Sequence, residues 1–197
     1  MLKENHIKFA KFFLLLVLMV LALSLIVIDS DNRRYKRNVE NYQVPDVTLI
    51  NQDNQPVKLV ELLDIDKPVI LQFIYTACTT VCPGMMVKFT NFQRRLEPDT
   101  EQALLVSISI DPENDTPEVL TGYSDSYQAQ PGWVFLTGSP NDIYTVMAAF
   151  NTQPTDMSTL DSPVLLRAPG QNQWLRLTGE INNQTLWDEY KMITKSN

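Results

Sequence analysis

The chain holds two cysteines, Cys78 and Cys82, four apart in the run YTACTTVCPG. A cysteine pair can exchange with a disulfide, hold a soft metal ion or form a structural bridge. The reactive and metal-binding form is the thiolate, which is favoured where unpaired backbone N–H groups and the positive end of a helix dipole are at hand. Here the pair stands between an apolar run, Pro68 to Ile74, and a segment with helical rhythm. If the helix has already begun, an i,i+4 spacing places both sulfurs on one side, with Cα atoms within about 6 Å. That separation suits a disulfide, and equally two ligands to Cu(I). Zinc fits poorly, because it normally takes a larger ligand set; there is no third cysteine, and the single histidine is His6. A structural staple is a weak reading, since a bridge that closes so short a loop constrains little chain. Inert buried thiols sit badly with the polar Thr79 and Thr80 between them.

The elements that must position this pair follow from pattern and punctuation. Val47–Ile50 and Val57–Leu59 flank NQDNQP and predict a hairpin. Pro68–Ile74 and Ala103–Ile110 read as buried strands, and Phe89, Phe92 and Leu96 give a helical period over Val87–Leu96. Thr116-Pro117 opens a helix, with Thr at the cap and Pro at the first helical position. Trp133–Leu136 is a short strand, Asn141–Phe150 a helix, Pro163–Arg167 and Trp174–Leu177 strands, and Leu186–Ile193 a last helix. Strands alternating with helices imply an α/β sheet covered on both faces. Asp111 lies at the end of a buried strand and so on the same edge of the sheet as the cysteines. It could hold a thiol's proton or a partner's hydrogen bond. Turn and capping duty accounts equally for Asp111 and Asp115.

Composition bounds the partners. With 197 residues, 44% hydrophobic and 20% charged, the chain is one domain plus an appendage. A net charge of −7 argues against nucleic acid as the partner. The charge is uneven, because residues 1–40 carry a net +3 and the remainder a net −10. Phe12 to Ile28 is an uninterrupted apolar run behind Lys3, Lys8 and Lys11, the layout of a signal anchor. The only small-x-small pattern, Ala22-Leu23-Ser24, lies inside that run, so an uncleaved anchor is favoured over a cleaved signal peptide. The chain then divides into a short N-terminus (1–11), a transmembrane anchor (12–28), a polar linker (29–43) and a domain (44–197). Lysine and arginine flank the run on both sides, so the charge rule does not orient it.

The run PVILQFIYTACTTVCPGMM resembles the signature of the Sco/SenC family. SISIDPENDTPEVL and WVFLTG follow in the family's order, so the resemblance spans roughly residues 45–195. It implies a thioredoxin-like fold carried on a single N-terminal transmembrane helix. It also implies a place in the cell inner membrane with the domain facing the periplasm. The implied work is delivery of copper to the binuclear copper site of cytochrome c oxidase during its assembly, or reduction of that site's cysteines. The implied partner is a client protein with redox-active or copper-binding cysteines, such as a cytochrome c oxidase subunit.

One departure matters. Copper-binding members of the family add a histidine about eleven residues before a glycine that here corresponds to Gly170, and that count lands on Thr159. The chain's only histidine, His6, precedes the apolar run. Met157, Met85 and Met86 are nearby in sequence, and a thioether suits Cu(I), but methionine is more often core or loop filler. Ser162-Pro163-Val164 resembles the thioredoxin segment in which a cis-proline precedes a strand and faces the cysteines, which would make Pro163 substrate-facing. An ordinary trans proline opening a strand is the competing reading. The favoured function is thiol–disulfide exchange through Cys78 as attacking thiol and Cys82 as resolving thiol, which requires no cofactor. A Cu(I) chaperone using the same two sulfurs is the alternative, and a non-catalytic redox sensor is the third reading.

Overall fold

The computed structural model describes residues 14–17, 19, 34–152 and 163–195. The chain forms two compact units, Met1–Arg34 and Tyr35–Asn197. In the first, residues 14–17 and 19 are helical. Among the described residues no helix is long and apolar enough to cross a membrane. Most of the expected anchor, residues 12–28, lies outside them, as do Met157, Thr159 and the Ser162–Pro163 peptide bond.

The second unit is built on an eight-stranded mixed sheet in the order β1-β8-β7-β4-β5-β6-β2-β3. The strands are β1 (Tyr35–Glu40), β2 (Thr48–Asn51), β3 (Pro56–Lys58), β4 (Val69–Ile74), β5 (Leu104–Ser109), β6 (Trp133–Thr137), β7 (Val164–Arg167) and β8 (Trp174–Gly179). The helices are α1 (Leu59–Leu63), α2 (Val81–Leu96), α3 (Pro117–Ser126), α4 (Pro140–Ala149) and α5 (Asn183–Lys195). Strands β4, β5 and β6 run parallel, whereas β7 is antiparallel to β4.

Alternation along β4 explains why both faces are covered. Ile70 and Ile74 join a cluster with Met85, Met86, Phe89 and Phe92 of α2, Leu120 of α3 and Leu186 and Tyr190 of α5. Val69, Leu71 and Phe73 face the other way, among Leu59 and Leu63 of α1 and Ile143 and Val146 of α4. A strand buried on both faces reads as a near-continuous apolar run, which is what VILQFI is. The exception, Gln72, donates to Ser107 Oγ (2.9 Å) and Met86 Sδ (3.3 Å). Each fully buried large apolar side chain in these clusters contributes roughly 1.5–3 kcal/mol relative to exposure.

Helix starts obey the capping signals. Thr116 Oγ1 accepts from Val119 N and Pro117 opens α3, while Ser139 and Pro140 do the same for α4. Two expectations change. Residues 35–40, placed in a linker, form β1, which pairs antiparallel with β8 from Tyr35↔Gly179 to Glu40↔Trp174. Its sequence, YKRNVE, is polar because it is an edge strand with exposed side chains, so no apolar alternation announces it. The helix expected from Val87 begins at Val81. Pro83 and Gly84 hide its first turn in the sequence, yet proline near a helix N-terminus gives up an N–H that has no intrahelical partner there.

Candidate functional site

Topology brings the site together. Strands β4 and β5 are parallel neighbours ending in register at Ile74↔Ser109, and Ile110 N donates to Ile74 O (2.8 Å). The segments that leave their C-terminal ends, Tyr75–Thr80 and Ile110–Thr116, therefore emerge side by side. In α/β sheets this edge is where chemistry collects.

Cys78 ends a turn in which its N–H donates to Tyr75 O (3.1 Å). Cys82 is the second residue of α2. Its N–H donates to Cys78 Sγ (3.3 Å), so the Cys78 sulfur does the work of a helix cap. Thr80, at the nominal cap position, makes no side-chain capping bond. Thr80 Oγ1 lies 3.9 Å from Cys78 Sγ. Both cysteines are free thiols and buried, at 6% exposure for Cys78 and 2% for Cys82, beneath a rim of exposed Ala77, Thr79, Thr80 and Val81.

The two thiols are driven apart in acidity. Burial pushes Cys78 up, but hydrogen bonds from the Cys82 thiol, the backbone N–H groups of Cys82 and Thr80, and the Tyr75 side chain outweigh it and bring it down to about 6. Burial, with the hydrogen bond to Cys78 and its charge, pushes Cys82 up to about 12. The first turn of α2 carries no acidic residue, so no carboxylate competes with a thiolate for its N–H groups. One sulfur is prepared to attack at neutral pH, while the other is held as a thiol that donates to it.

The other expected site residues fall as follows. Asp111 is half-buried, and its carboxylate accepts from Asn114 Nδ2 (3.0 Å to each oxygen), within its own turn. Pro163 is buried at the start of β7, beside β4. Met85 and Met86 are core residues of α2, in the cluster with Phe89 and Trp133. Among the described residues no group of three or more Cys, His, Asp or Glu converges as a metal site. The two sulfurs therefore fit a two-coordinate soft ion and, among those residues, nothing that needs a third such ligand.

Sequence reasoning passed over two neighbours. Tyr75 bears on Cys78 through both its carbonyl and its side chain. Asp115, which capping duty was expected to explain, is fully buried and accepts from Thr76. Thr116 alone caps α3, so capping does not account for Asp115.

A family model for SCO1/SenC matches residues 36–163. The chain belongs to the SCO1/SenC family. The SCO1 protein homolog of Bacillus subtilis is 36% identical over 99 residues, which is 50% of this chain and 50% of that protein. Protein SenC of Rhodobacter capsulatus is 32% identical over 101 residues, 49% of this chain and 45% of that one. The chain thus spans about half the length of the curated Sco relatives it matches. Solved structures match over more. BsSco, described as a Sco-family cytochrome c oxidase assembly protein with a disulfide switch, is 27% identical with TM-score 0.66, covering 81% of this chain and 98% of that one. Copper-bound ScoI of Arabidopsis thaliana is 25% identical with TM-score 0.65, covering 78% and 99%. The mixed α/β fold expected from the Sco resemblance is the fold found.

Proposed function

We propose that this protein is a membrane-anchored, extracytoplasmic Sco protein that reduces a disulfide in a client, in the assembly of a respiratory oxidase's copper site. One observation carries the reading: a buried dithiol whose first sulfur caps a helix and whose acidity is split between about 6 and about 12. The family resemblance supports the client class, and the apolar run 12–28 supports the anchor.

The Cys78 thiolate attacks one sulfur of the client disulfide. A Cys78–client S–S bond forms, the client S–S bond breaks, and the second client sulfur leaves as a thiolate that takes a proton from solvent. Once Cys78 is in the mixed disulfide it no longer carries charge, so two of the causes that hold Cys82 protonated disappear. Cys82 then loses its proton and attacks Cys78 Sγ. The Cys78–Cys82 bond forms and the second client thiolate departs. Two electrons have passed from this dithiol to the client, and a second dithiol must return them.

The purified full chain in detergent, reduced and metal-free, should reduce a protein disulfide. Cys78→Ser should abolish that activity, whereas Cys82→Ser should trap the mixed disulfide. Activity retained in Cys78→Ser, or no mixed disulfide trapped in Cys82→Ser, would overturn the reading. A second reading rests on the same two sulfurs, since copper is seen on a Sco relative: Cu(I) carried as cargo between Cys78 and Cys82. Anaerobic competition with a Cu(I) chelator tests it. One-to-one binding lost in Cys78→Ser would support copper transfer, and no binding would leave exchange alone.

A further inference from the structure

The dithiol steps leave Asp115 without a task, yet it is among the most constrained residues near the site. It is fully buried, at 0% exposure. Among the described residues no lysine, arginine or histidine pairs with it. A buried carboxylate without a cation is costly unless hydrogen bonds replace its water. Here they do. Thr76 N–H donates to both oxygens (3.1 and 3.3 Å) and the Thr76 hydroxyl to Oδ1. The Ser109 hydroxyl donates to Oδ2. Asp115 N–H in turn donates to Asp111 O (2.8 Å).

These bonds join three pieces of chain that sequence separates. Ser109 ends β5, Thr76 leaves β4, and Asp115 precedes the cap of α3. Thr76 lies one residue past Tyr75, whose carbonyl accepts from Cys78 N–H. An acceptor on the Thr76 peptide therefore fixes the turn that presents Cys78. The turn has to be fixed, because the 3.3 Å contact from Cys82 N–H to Cys78 Sγ spans from that loop to the helix start. Among the described residues no other group takes these bonds from Thr76, whose N–H and hydroxyl both go to Asp115.

We propose that Asp115 is a positioning residue for the redox pair: through Thr76 and Ser109 it clamps the loop after β4 so that the Cys78 sulfur stays on the N-terminus of α2. The inference rests on the dithiol reading of Cys78 and Cys82. Asp115 touches neither sulfur and takes part in no bond exchange.

The sign of one measurement separates this role from a plain charge effect. Hydrogen bonds to the Cys78 sulfur stabilise the reduced pair, and a stabilised reduced form makes a more oxidising couple. If Asp115 positions, Asp115→Asn loosens the clamp, because an amide nitrogen cannot accept from Ser109 or Thr76. The reduced pair loses stabilisation and the disulfide becomes harder to reduce. If Asp115 acts only through its charge, removing a negative charge near a thiolate does the opposite. Ser109→Ala and Thr76→Ala should follow Asp115→Asn, and Thr76→Ser should restore the parent value.

The test equilibrates the full chain in detergent with reduced and oxidised glutathione and counts free thiols. A fall of about threefold or more in the equilibrium constant for reduction is expected in Asp115→Asn, Ser109→Ala and Thr76→Ala. Thr76→Ser should stay near the parent. A rise in Asp115→Asn with no change in Ser109→Ala, or no change in any variant, would overturn the clamp. If Asp115→Asn does not fold by near-UV circular dichroism, Thr76→Ala and its Thr76→Ser rescue decide the matter. If the parent chain itself shows no reversible Cys78–Cys82 disulfide, the dithiol reading fails, and the clamp fails with it.

Discussion

Cys78 and Cys82 are four residues apart, yet they differ in what surrounds each sulfur. Cys78 collects donors, namely Cys82 N–H, Thr80 N–H, Tyr75 and the Cys82 thiol, and comes down to about 6. Cys82 has burial and a charged neighbour, and goes up to about 12. A thiol whose acidity lies below neutrality is a thiolate at pH 7 and is lost as the pH falls through about 6. Alkylation of Cys78 by iodoacetamide should therefore rise through pH 6 and be flat above pH 7, while Cys82 stays unmodified across the neutral range. Mass spectrometry of the alkylated chain reads both sites at once. Equal labelling of the two at neutral pH would show that the asymmetry is absent. Tyr75→Phe should move the Cys78 curve to higher pH, because it removes one donor from the thiolate.

At the scale of elements, the N-terminus of α2 sets this chemistry. Helix starts usually favour acidic residues, and this one has none in its first turn. The thiolate takes their place. Val81, at the first helical position, is half exposed and so tolerates substitution. Val81→Asp should leave thermal stability nearly unchanged or slightly raised, by up to about 0.5 kcal/mol. It should nevertheless raise the pKa of Cys78 and slow exchange a few-fold at pH 7, because two negative charges then share one helix end. Thiolate absorbance against pH measures the shift, and an unchanged curve would mean that the helix end matters little. Which elements the sequence disclosed follows the same physics. Thr116-Pro117 and the doubly buried β4 and β5 were legible because caps and apolar runs are local signals. The first turn of α2 was not, since VCPG has weak helix propensity and is held by the Cys78 sulfur. Strand β1 was not, since it is polar and its partner β8 lies far along the chain. The cysteines declared themselves by type and spacing. Asp115 could not, because its burial depends on β4 and β5 being neighbours, which no local pattern states.

For the molecule as a whole, β1 is the first strand of the folded unit in sequence, and both β8 and α5 hold it. Beyond its ladder to β8, it is tied to α5 by one buried acid. Glu189 is at 0% exposure and accepts from the Tyr35 hydroxyl (2.8 Å) and Arg37 Nε (2.9 Å). Removing one partner from a buried pair is more damaging than removing both, because it leaves a charge unmatched. The two partners are unequal here, since the Arg37 side chain is 35% exposed and can be hydrated in place. Arg37→Ala strands a buried carboxylate with a single phenol, and should cost about 2 kcal/mol, discounted from the fully buried case for that exposure. Glu189→Gln keeps an acceptor for Tyr35 and leaves Arg37 able to reach water, so it should cost less, about 1 kcal/mol. The double variant Arg37→Ala/Glu189→Gln should recover part of the Arg37→Ala loss. Chemical denaturation gives the three values, and hydrogen exchange across residues 35–40 shows whether β1 is the part released. A double variant as unstable as the sum of the two singles would mean that Arg37 and Glu189 act independently. If the coupling is present, a pull on the chain ahead of Tyr35 is resisted by α5, which shares its core with α2. That arrangement ties β1, the first strand of the folded unit, to the same core as the cysteine-bearing helix.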